Sequence, residues 1–348
     1  MALERLSPFR VLTVNVGSTS VKVVRVEGGR AVGHHDRLEE VLASPPDGID
    51  AVVHRVVHGG ARTGAALVDH EVLEELRGLT ELAPLHQPGA VDGIEASHRA
   101  WPEVPQIACF DTAFHATIPV AARTYALPTR MRSTVRGFGF HGLSVAWAAR
   151  RLAQLAPACR RVVVAHLGGG QSLTGMLDGR SRTTTMGFTP LDGLVMATRC
   201  GALDPGAVLW LAANTAEDLP TVLERESGLL GLCGSADLGE VLERRDRGDE
   251  SAVVAVEVYL HRFVHELGGC VADIGGLDAL VFTGGIGEHL SALRVLVAER
   301  LGWLGVDLVA DAPGEEITAS TSAVRIFVIE SREDLQMAQE ARAVLSPL

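Results

Sequence analysis

Short apolar runs recur along the chain and are separated by stretches in which apolar residues follow a helical spacing. The strand-like runs are residues 11–14, 21–26, 51–53, 106–110, 161–165, 279–283 and 324–329. Helical spacing is clearest near Val256, where apolar residues share one face that we expect to be core. The alternation of strands and helices predicts an α/β architecture.

Two segments of the chain resemble each other. VLTVNVGSTSVKVVRV (residues 11–26) and VVVAHLGGGQSLTGML (residues 162–177) share a plan of strand, small-residue turn and strand. Gly17 aligns with Gly168, and Asn15 aligns with His166. Tight glycine turns expose backbone N–H groups that can hold phosphate oxygens between them. Two ordinary hairpins would look the same, but one copy in each half of the chain favours two related domains that each present a phosphate loop.

Composition narrows the class of protein. A chain of 348 residues, 47% of them hydrophobic, is long enough for two domains with sizeable cores. The formal net charge of −12 disfavours a nucleic-acid partner, which would require a basic face. We expect no membrane association, because no apolar run could span a bilayer and the first residues lack the apolar region of a signal peptide. Five scattered cysteines without a CxxC pair indicate a reducing cytoplasm.

The first glycine segment also holds residue types that are rare in this chain. Lys22 is the only lysine, and Asn15 is one of two asparagines. Their occurrence together in NVGSTSVK could be chance, but it favours a chemical role for the segment.

Polar residues interrupt apolar runs at several further points. Arg55 lies in HRVVHGG, His141 lies in the glycine-rich GFGFHGLS, and Arg199 lies in ATRCGALDP. Asp111 directly follows an apolar strand, where open α/β sheets place functional groups. Each has a structural alternative: Asp111 as a helix N-cap, the two arginines as salt-bridge partners, and His141 as a donor to backbone carbonyls.

The order of these motifs resembles one family. NVGSTSVK, HRVVHGG, LAPLHQP, FDTAFH, GFHG, MGFTPLDGL with ATRCGALDP, SGLLG and VFTGGIGE occur in the order seen in acetate kinases and cover nearly the whole chain. The resemblance implies an α/β, two-domain actin-like ATPase fold, in which a ribonuclease H-like unit is duplicated and the nucleotide lies in the interdomain cleft. It implies an N-terminal domain of residues 1–144 plus 334–348, with a returning C-terminal helix, and a nucleotide-binding domain of residues 145–333.

The resemblance also implies an activity. Acetate kinases reversibly transfer the γ-phosphoryl group of ATP to the carboxylate of a small acid, here with acetate favoured, and give an acyl phosphate and ADP by direct in-line transfer. We therefore expect Mg²⁺, with Mn²⁺ as an alternative, ATP or ADP as a substrate, a small carboxylic acid as the other, and a homodimer.

Site residues follow from the matched motifs. Phosphate loops are implied at Asn15, Ser18, Ser20 and Lys22, and at His166, Gly168, Gly169 and Gly170. Catalytic roles are implied for Arg55 and Arg199, which flank the acid and the phosphoryl group, for Asp111 beside the metal, and for His141 as a transition-state donor. The other implied groups are a metal site at Asn15 and Glu333, an acyl pocket at Val57, Leu85, Phe140 and Pro190, and a nucleotide wall at Asp237, Gly284, Gly285 and Ile286.

The chain departs from the family pattern in a few places. Residues 27–53 are shorter than usual, and Gly169 and Gln87 replace asparagines. Asp237-Leu238-Gly239 replaces an Asp-Phe-Arg triplet that contacts the nucleotide. Three alternatives therefore stay open: a kinase for propionate or another short-chain carboxylate, a variant using a phosphoryl donor other than ATP, and, more distantly, a non-catalytic nucleotide-binding protein.

Overall fold

The computed structural model describes residues 9–16, 21–43, 48–84, 86–310 and 312–346. The predicted site residues Ser18, Ser20 and Leu85 lie outside the described residues.

Hydrogen-bonded strands in the described part of the chain form two sheets. The strands of the first are β1 (Arg10–Val16), β2 (Val21–Glu27), β3 (Arg30–His35), β4 (Ala51–Val56), β5 (Ala66–Leu67) and β6 (Gln106–Phe110). The strands of the second are β7 (Arg161–Leu167), β8 (Gln171–Leu177), β9 (Arg180–Thr184), β10 (Ala279–Thr283) and β11 (Arg325–Val328). Each apolar run named from the sequence therefore corresponds to a strand.

Five strands of the first sheet repeat the topology of the second, and β5 has no counterpart. The first has the order β3-β2-β1-β4-β6-β5, and the second has the order β11-β10-β7-β8-β9. In each, a strand pairs antiparallel with the next strand and parallel with a later one, β4 or β10. The hairpins correspond in detail, because Asn15 pairs with Lys22 in the first and His166 pairs with Ser172 in the second. The predicted duplication is thus confirmed at the level of strand order.

Helices connect and cover the strands. Their bounds are α1 (Leu38–Ala43), α2 (His70–Gly78), α3 (Gln87–Ala100), α4 (Val120–Arg123), α5 (Gly142–Leu155), α6 (Pro205–Asn214), α7 (Leu219–Arg225), α8 (Gly228–Cys233), α9 (Leu238–Asp246), α10 (Glu250–Ile274), α11 (Gly284–His289), α12 (Ser291–Arg300) and α13 (Glu333–Leu345).

Contacts divide the chain into two compact units. The first contains Met1–Ala116, Phe140–Trp147 and Arg332–Leu348, and the second contains Thr117–Gly139 and Ala148–Ser331. The predicted domain bounds, 1–144 plus 334–348 and 145–333, remain a prediction, as does the placement of the nucleotide.

In the first unit, helices cover both faces of the sheet. Met337, Ala338 and Ala341 of α13 pack against Val11, Val53 and other residues of β1, β4 and β6. Helices α1 and α3 contribute to cores that include Leu12, Val52 and Phe110. The last helix of the chain thus stabilises the sheet formed by the first strand.

In the second unit, α10 provides most of the core on one face of the sheet. Its N-cap Asp249 accepts hydrogen bonds from the backbone N–H groups of Ser251 and Ala252, at 3.0 and 3.2 Å. The helix ends where Gly275 adopts the left-handed conformation, with φ of 76°. Between these ends, apolar residues at helical spacing, including Tyr259 and Phe263, are buried as the sequence predicted.

No helix in the described ranges is both long and apolar enough to cross a membrane.

Two buried histidines of the first unit are neutral and make hydrogen bonds to neighbouring residues. His54 Nε2 bonds Gln106 Oε1 at 2.8 Å, and His115 Nε2 bonds the Phe140 carbonyl oxygen at 2.8 Å. A carbonyl oxygen can only accept, so Nε2 of His115 carries the proton. Burial lowers the pKa of both rings to about 4, although these hydrogen bonds oppose the shift.

This burial predicts an acid-sensitive stability. The ordinary pKa of histidine is 6.5, and that of folded His54 is about 4. As pH falls between these values, His54 binds a proton in the unfolded chain but stays neutral in the folded one. The free energy of unfolding should therefore fall. One such proton is worth roughly 1 kcal/mol per pH unit. His54→Gln should make the dependence shallower by that amount, as measured by urea unfolding at pH 7 and pH 5. Parallel dependences for the two proteins would contradict the assignment.

Candidate active site

Three strands of the first sheet end at the same edge and bring polar residues together. Strands β1, β4 and β6 are parallel neighbours, so their carboxyl ends coincide. Asn15 lies near the end of β1, Arg55 lies near the end of β4, and Asp111 directly follows β6. Glu333, the first residue of α13, joins them. The sheet thus collects residues that are up to 318 positions apart in sequence.

Hydrogen bonds connect these four residues into one cluster. Arg55 binds Asp111 in a bidentate manner, with Nε donating to Oδ1 at 3.1 Å and Nη2 donating to Oδ2 at 2.7 Å. Arg55 Nη1 donates to Asn15 Oδ1 at 3.2 Å and lies 3.5 Å from Glu333 Oε2. Asn15 Nδ2 donates to the same Glu333 oxygen at 3.0 Å. The planar guanidinium suits this bidentate geometry, which an ammonium group could not reproduce.

Burial makes the charges of this cluster depend on one another. The Asp111 side chain is 1% exposed, and those of Arg55 and Glu333 are 16% and 14% exposed. Burial by itself would lower the pKa of Arg55, but the carboxylates of Asp111 and Glu333 outweigh it and raise that pKa. Burial raises the pKa of Glu333; Arg55 opposes the shift and Asp111 adds to it. One guanidinium thus serves two carboxylates, and the charge of Lys22 also lowers the pKa of Glu333, to a smaller extent.

The GFHG turn lies against the same strand end. Gly142 N–H donates to the Asp111 carbonyl oxygen at 2.9 Å, and a Cβ on Gly142 would lie only 2.0 Å from that oxygen. Only glycine fits at this approach. His141 precedes it with φ of 59°, an uncommon conformation for a residue with a side chain. The turn thus holds His141 beside the end of β6.

Two residues of the predicted acyl pocket are buried in the first unit. Val57 follows β4 and is 6% exposed, and Phe140 is 1% exposed. The His58 ring packs edge-on against the Phe140 ring, with centroids 5.8 Å apart. Val57 and Phe140 are thus buried side chains, and their place in an acyl pocket remains a prediction.

The predicted second phosphate loop and adenosine turn are neighbours in the second unit. Gly168 N–H donates to the Gly170 carbonyl oxygen at 3.0 Å and closes the turn after β7. Thr283, the last residue of β10, pairs with His166, and the next residue, Gly284, has φ of 79°. A Cβ on Gly284 would lie 2.7 Å from the Leu167 carbonyl oxygen. Close packing therefore places the GGIG segment against the glycine turn, with Gly285 and Ile286 following in α11.

Arg199 and Pro190 also lie in the second unit and contact each other. Arg199 Nη1 donates to the Pro190 carbonyl oxygen at 3.1 Å. Burial lowers the pKa of Arg199, and Glu224 offsets this only in part. A cation that is incompletely compensated is suited to an anionic ligand.

Asp237 has a structural role at the start of α9. Its Oδ1 accepts from the backbone N–H groups of Gly239 and Glu240, at 2.8 and 3.2 Å. This is the geometry of a helix N-cap. Contact between Asp237 and a nucleotide remains a prediction.

Two contributors were missed as participants from sequence. Thr112 Oγ1 accepts from Gly59 N–H at 3.1 Å, and Gln87 binds the backbone of His58. Position beside Asp111 was the available signal for Thr112. Gln87 stood out as a departure from the family pattern, without an indication of what it touches.

The donor set fits a hard divalent cation. Among the described residues, no group of three or more His, Cys, Asp or Glu side chains is placed to hold a metal ion. Mg²⁺ does not need such a group, because it uses one or two carboxylates together with water and substrate phosphates. Glu333 supplies a carboxylate and Asn15 supplies an amide oxygen, while both oxygens of Asp111 accept from Arg55 and leave Asp111 as a neighbouring anion. The cluster therefore fits the expected metal.

Comparison with known proteins identifies the family. The family model described as "Acetokinase family" matches residues 30–339. The chain belongs to the acetokinase family. An acetate kinase of Rhodopseudomonas palustris is 49% identical over 349 aligned residues, which cover 95% of this chain and 86% of the relative.

Solved structures of the acetokinase family show the fold. A propionate kinase from Francisella tularensis has a TM-score of 0.88 at 33% identity, and covers 95% of this chain and 98% of its own. An acetate kinase from Entamoeba histolytica has a TM-score of 0.88 at 31% identity, and covers 96% and 99%. The predicted fold class, an α/β two-domain actin-like ATPase fold, is thus confirmed.

The buried charge cluster predicts strong coupling between Arg55 and Asp111. Asp111→Asn should lower the free energy of unfolding by roughly 3 kcal/mol, because it leaves a buried cation short of a partner. The double variant with Arg55→Met should lose less than the sum of the single losses, because neither charge then remains. Urea unfolding of the four proteins measures this.

Glu75→Gln provides the control, since it removes an exposed partner of Arg62 and should cost less than about 1 kcal/mol. Additive losses for Arg55 and Asp111 would show that the two side chains do not depend on each other.

Proposed function

We propose that this member of the acetokinase family transfers the terminal phosphoryl group of a nucleotide to the carboxylate of a small acid. Acetate is the favoured acid, and the products are an acyl phosphate and a nucleoside diphosphate. The observation that carries the proposal is the cluster of Arg55, Asp111, Asn15 and Glu333 at the carboxyl edge of the first sheet.

The chemistry needs positioned charge more than a base. A carboxylate is already a competent nucleophile, and phosphoryl transfer depends on alignment and on neutralising the equatorial oxygens. Both oxygens of Asp111 accept from Arg55, so Asp111 acts as a fixed anion that orients the guanidinium. Arg55 then holds the acid carboxylate, Arg199 stabilises the transferring group, and His141 donates to it in the transition state.

We assign the metal site to Glu333 and Asn15, and Asp111 is the neighbouring anion. Mg²⁺, or Mn²⁺ in its place, would reduce the negative charge of the nucleotide phosphates when held by these residues. Asn15 donates a hydrogen bond to Glu333 Oε2, and Arg55 forms an ion pair with the same oxygen. Together they fix the orientation of that carboxylate.

The acyl pocket supports a short chain. Val57 and Phe140 provide apolar, buried walls next to Arg55, and Leu85 and Pro190 complete the proposed set. One methylene in such a pocket is worth about 1–3 kcal/mol, which separates acetate from propionate only modestly. The structural similarity to a propionate kinase favours propionate as the second candidate.

The phosphoryl donor is the other variable. Asn15, Ser18, Ser20 and Lys22, together with residues 166–170, are the proposed phosphate contacts, and residues 284–286 are the proposed adenosine contacts. Leu238 and Gly239 supply no cation or aromatic ring beside Asp237. A charge-assisted hydrogen bond is worth roughly 1.5–3 kcal/mol, so we expect weak discrimination among nucleotides.

An acid-by-donor activity matrix tests the function. Acetate and propionate are combined with ATP, GTP and pyrophosphate in the presence of Mg²⁺, and hydroxylamine traps any acyl phosphate as a hydroxamate. We expect hydroxamate from both acids with ATP, and a kcat about a hundredfold lower in Arg199→Ala, because a phosphate-directed arginine acts mainly in the transition state. Wild-type kinetics in Arg199→Ala would remove that residue from the mechanism. No hydroxamate from any pair would favour the non-catalytic alternative.

We further propose a cytoplasmic homodimer. All five cysteines are free thiols, which suits a reducing compartment. Helix α6, PGAVLWLAAN, has no charged residue and no buried residue, and Leu209 and Trp210 on it are 72% and 62% exposed. An apolar helix that its own chain leaves uncovered is typical of a subunit interface.

Trp210→Glu should therefore convert a dimer into a monomer, because it places a charge in an apolar interface. Sedimentation velocity measures the mass, and Trp303→Glu is the matched control because Trp303 is also exposed, at 69%. A monomeric wild-type protein, or a dimer in Trp210→Glu, would contradict the role of α6.

A further inference from the structure

The chain leaves the first sheet immediately before Val57, a residue of the proposed acyl pocket. Strand β4 ends at Val56, whose carbonyl oxygen accepts a last ladder bond from Asp111 N–H at 3.1 Å. Beyond this point, side chains hold the backbone. Gly59 N–H donates to Thr112 Oγ1 at 3.1 Å, and His58 N–H donates to Gln87 Oε1 at 3.2 Å. The segment 57–60 is therefore positioned by these side-chain contacts.

Gln87 takes the place of a neighbouring strand. Its Oε1 accepts from His58 N–H, and its Nε2 donates to the His58 carbonyl oxygen at 3.1 Å and to the Leu76 carbonyl oxygen at 3.2 Å. The side chain is fully buried at the first residue of α3. One side-chain amide thus binds the backbone N–H and carbonyl oxygen of His58 and joins them to the end of α2. Because the amide is buried, the loss of any of these hydrogen bonds is costly.

The peptide that Gln87 holds adjoins Val57 and carries the His58 ring, which lie at the proposed acyl pocket. Val57 directly precedes His58, and the His58 ring packs on Phe140. Gly59 lies so close to Phe110 that a Cβ there would come within 2.6 Å of the Phe110 ring. The positions of Val57 and of the His58 ring are therefore tied to one buried amide.

We propose that Gln87 is a positioning residue that sets the length of the acyl chain accepted by the site. The inference rests on the proposed carboxylate kinase function. Gln87 fixes Val57 and the His58–Phe140 pair and so keeps the pocket rigid enough to discriminate by one methylene. Without the Gln87 amide, Val57 and the His58 ring can move apart from Phe140, and the site accommodates a longer acyl group.

The test uses a ratio that does not depend on how much protein is folded. The kcat/KM for acetate divided by that for propionate is measured in the same preparation, so the concentration of active enzyme cancels. Gln87→Leu keeps the size but removes all three hydrogen bonds, and should shift the ratio about three- to tenfold towards propionate, part of what one methylene is worth in such a pocket. The change should appear mainly in KM for the acid. Gln87→Glu keeps the acceptor for His58 N–H but places a carboxylate oxygen against the His58 and Leu76 carbonyl oxygens, which repel it, and should shift the ratio in the same direction.

Gln106→Leu is the matched control. Gln106 is also buried, and it bonds His54 and the Val104 carbonyl oxygen at the opposite end of β6. It should lower thermal stability without moving the acid ratio. Val57→Ala is the positive control for the pocket itself and should favour propionate.

The outcomes separate the two levels of inference. A shift in Gln87→Leu with no shift in Gln106→Leu supports the proposal. An unchanged ratio in Gln87→Leu while Val57→Ala shifts it, or an equal shift in Gln106→Leu, overturns the role of Gln87 and leaves the proposed function intact. Failure of the wild-type protein to phosphorylate either acid overturns the proposed function.

Discussion

The guanidinium of Arg55 connects four segments that are far apart in the chain. It binds Asp111 through two hydrogen bonds, reaches Asn15, and lies within ion-pair distance of Glu333. A cation can remain buried only if carboxylates accompany it, and buried carboxylates equally require the cation. Folding of the first sheet and assembly of the charged site are therefore one event. Glu333 is the first residue of α13, so this helix must dock before both carboxylates lie beside Arg55.

The duplicated sheets show how one scaffold serves different chemistry. In each sheet, a hairpin and a parallel neighbouring strand place one polar residue near the carboxyl edge. This residue is Asn15 in the first sheet and His166 in the second. In the first unit that edge gathers ionised side chains. In the second unit it gathers glycines, whose value lies in exposed backbone N–H groups and in close approach, as at Gly284. The difference lies in side chains at matching positions, since five strands follow the same order in both sheets.

Much of the fold could be predicted from the sequence, because burial imposes a pattern. Strands such as β6 are continuous apolar runs, and the repeat is visible because both copies need small residues between two strands. Asp111 could be named because it ends such a run. Its partner could not, because Arg55 and Asp111 are 56 positions apart and their pairing depends on the order of strands in the sheet. The sequence alone therefore cannot decide between a salt bridge and a catalytic role for Arg55. The bonds of Gln87 were equally out of reach, since they depend on where β4 leaves the sheet.

The N-cap at Asp237 has a consequence for how this family can diversify. Because Asp237 Oδ1 secures the first turn of α9 through Gly239 and Glu240 N–H, selection on folding alone is enough to retain the aspartate. A Cβ at Gly239 would meet only Asp237 Oδ1 at 3.1 Å and a Leu290 methyl at 3.9 Å, so larger side chains can be accepted there with small adjustments. The side chain at position 239 can thus change in size while the N-cap keeps the first turn of the helix in place.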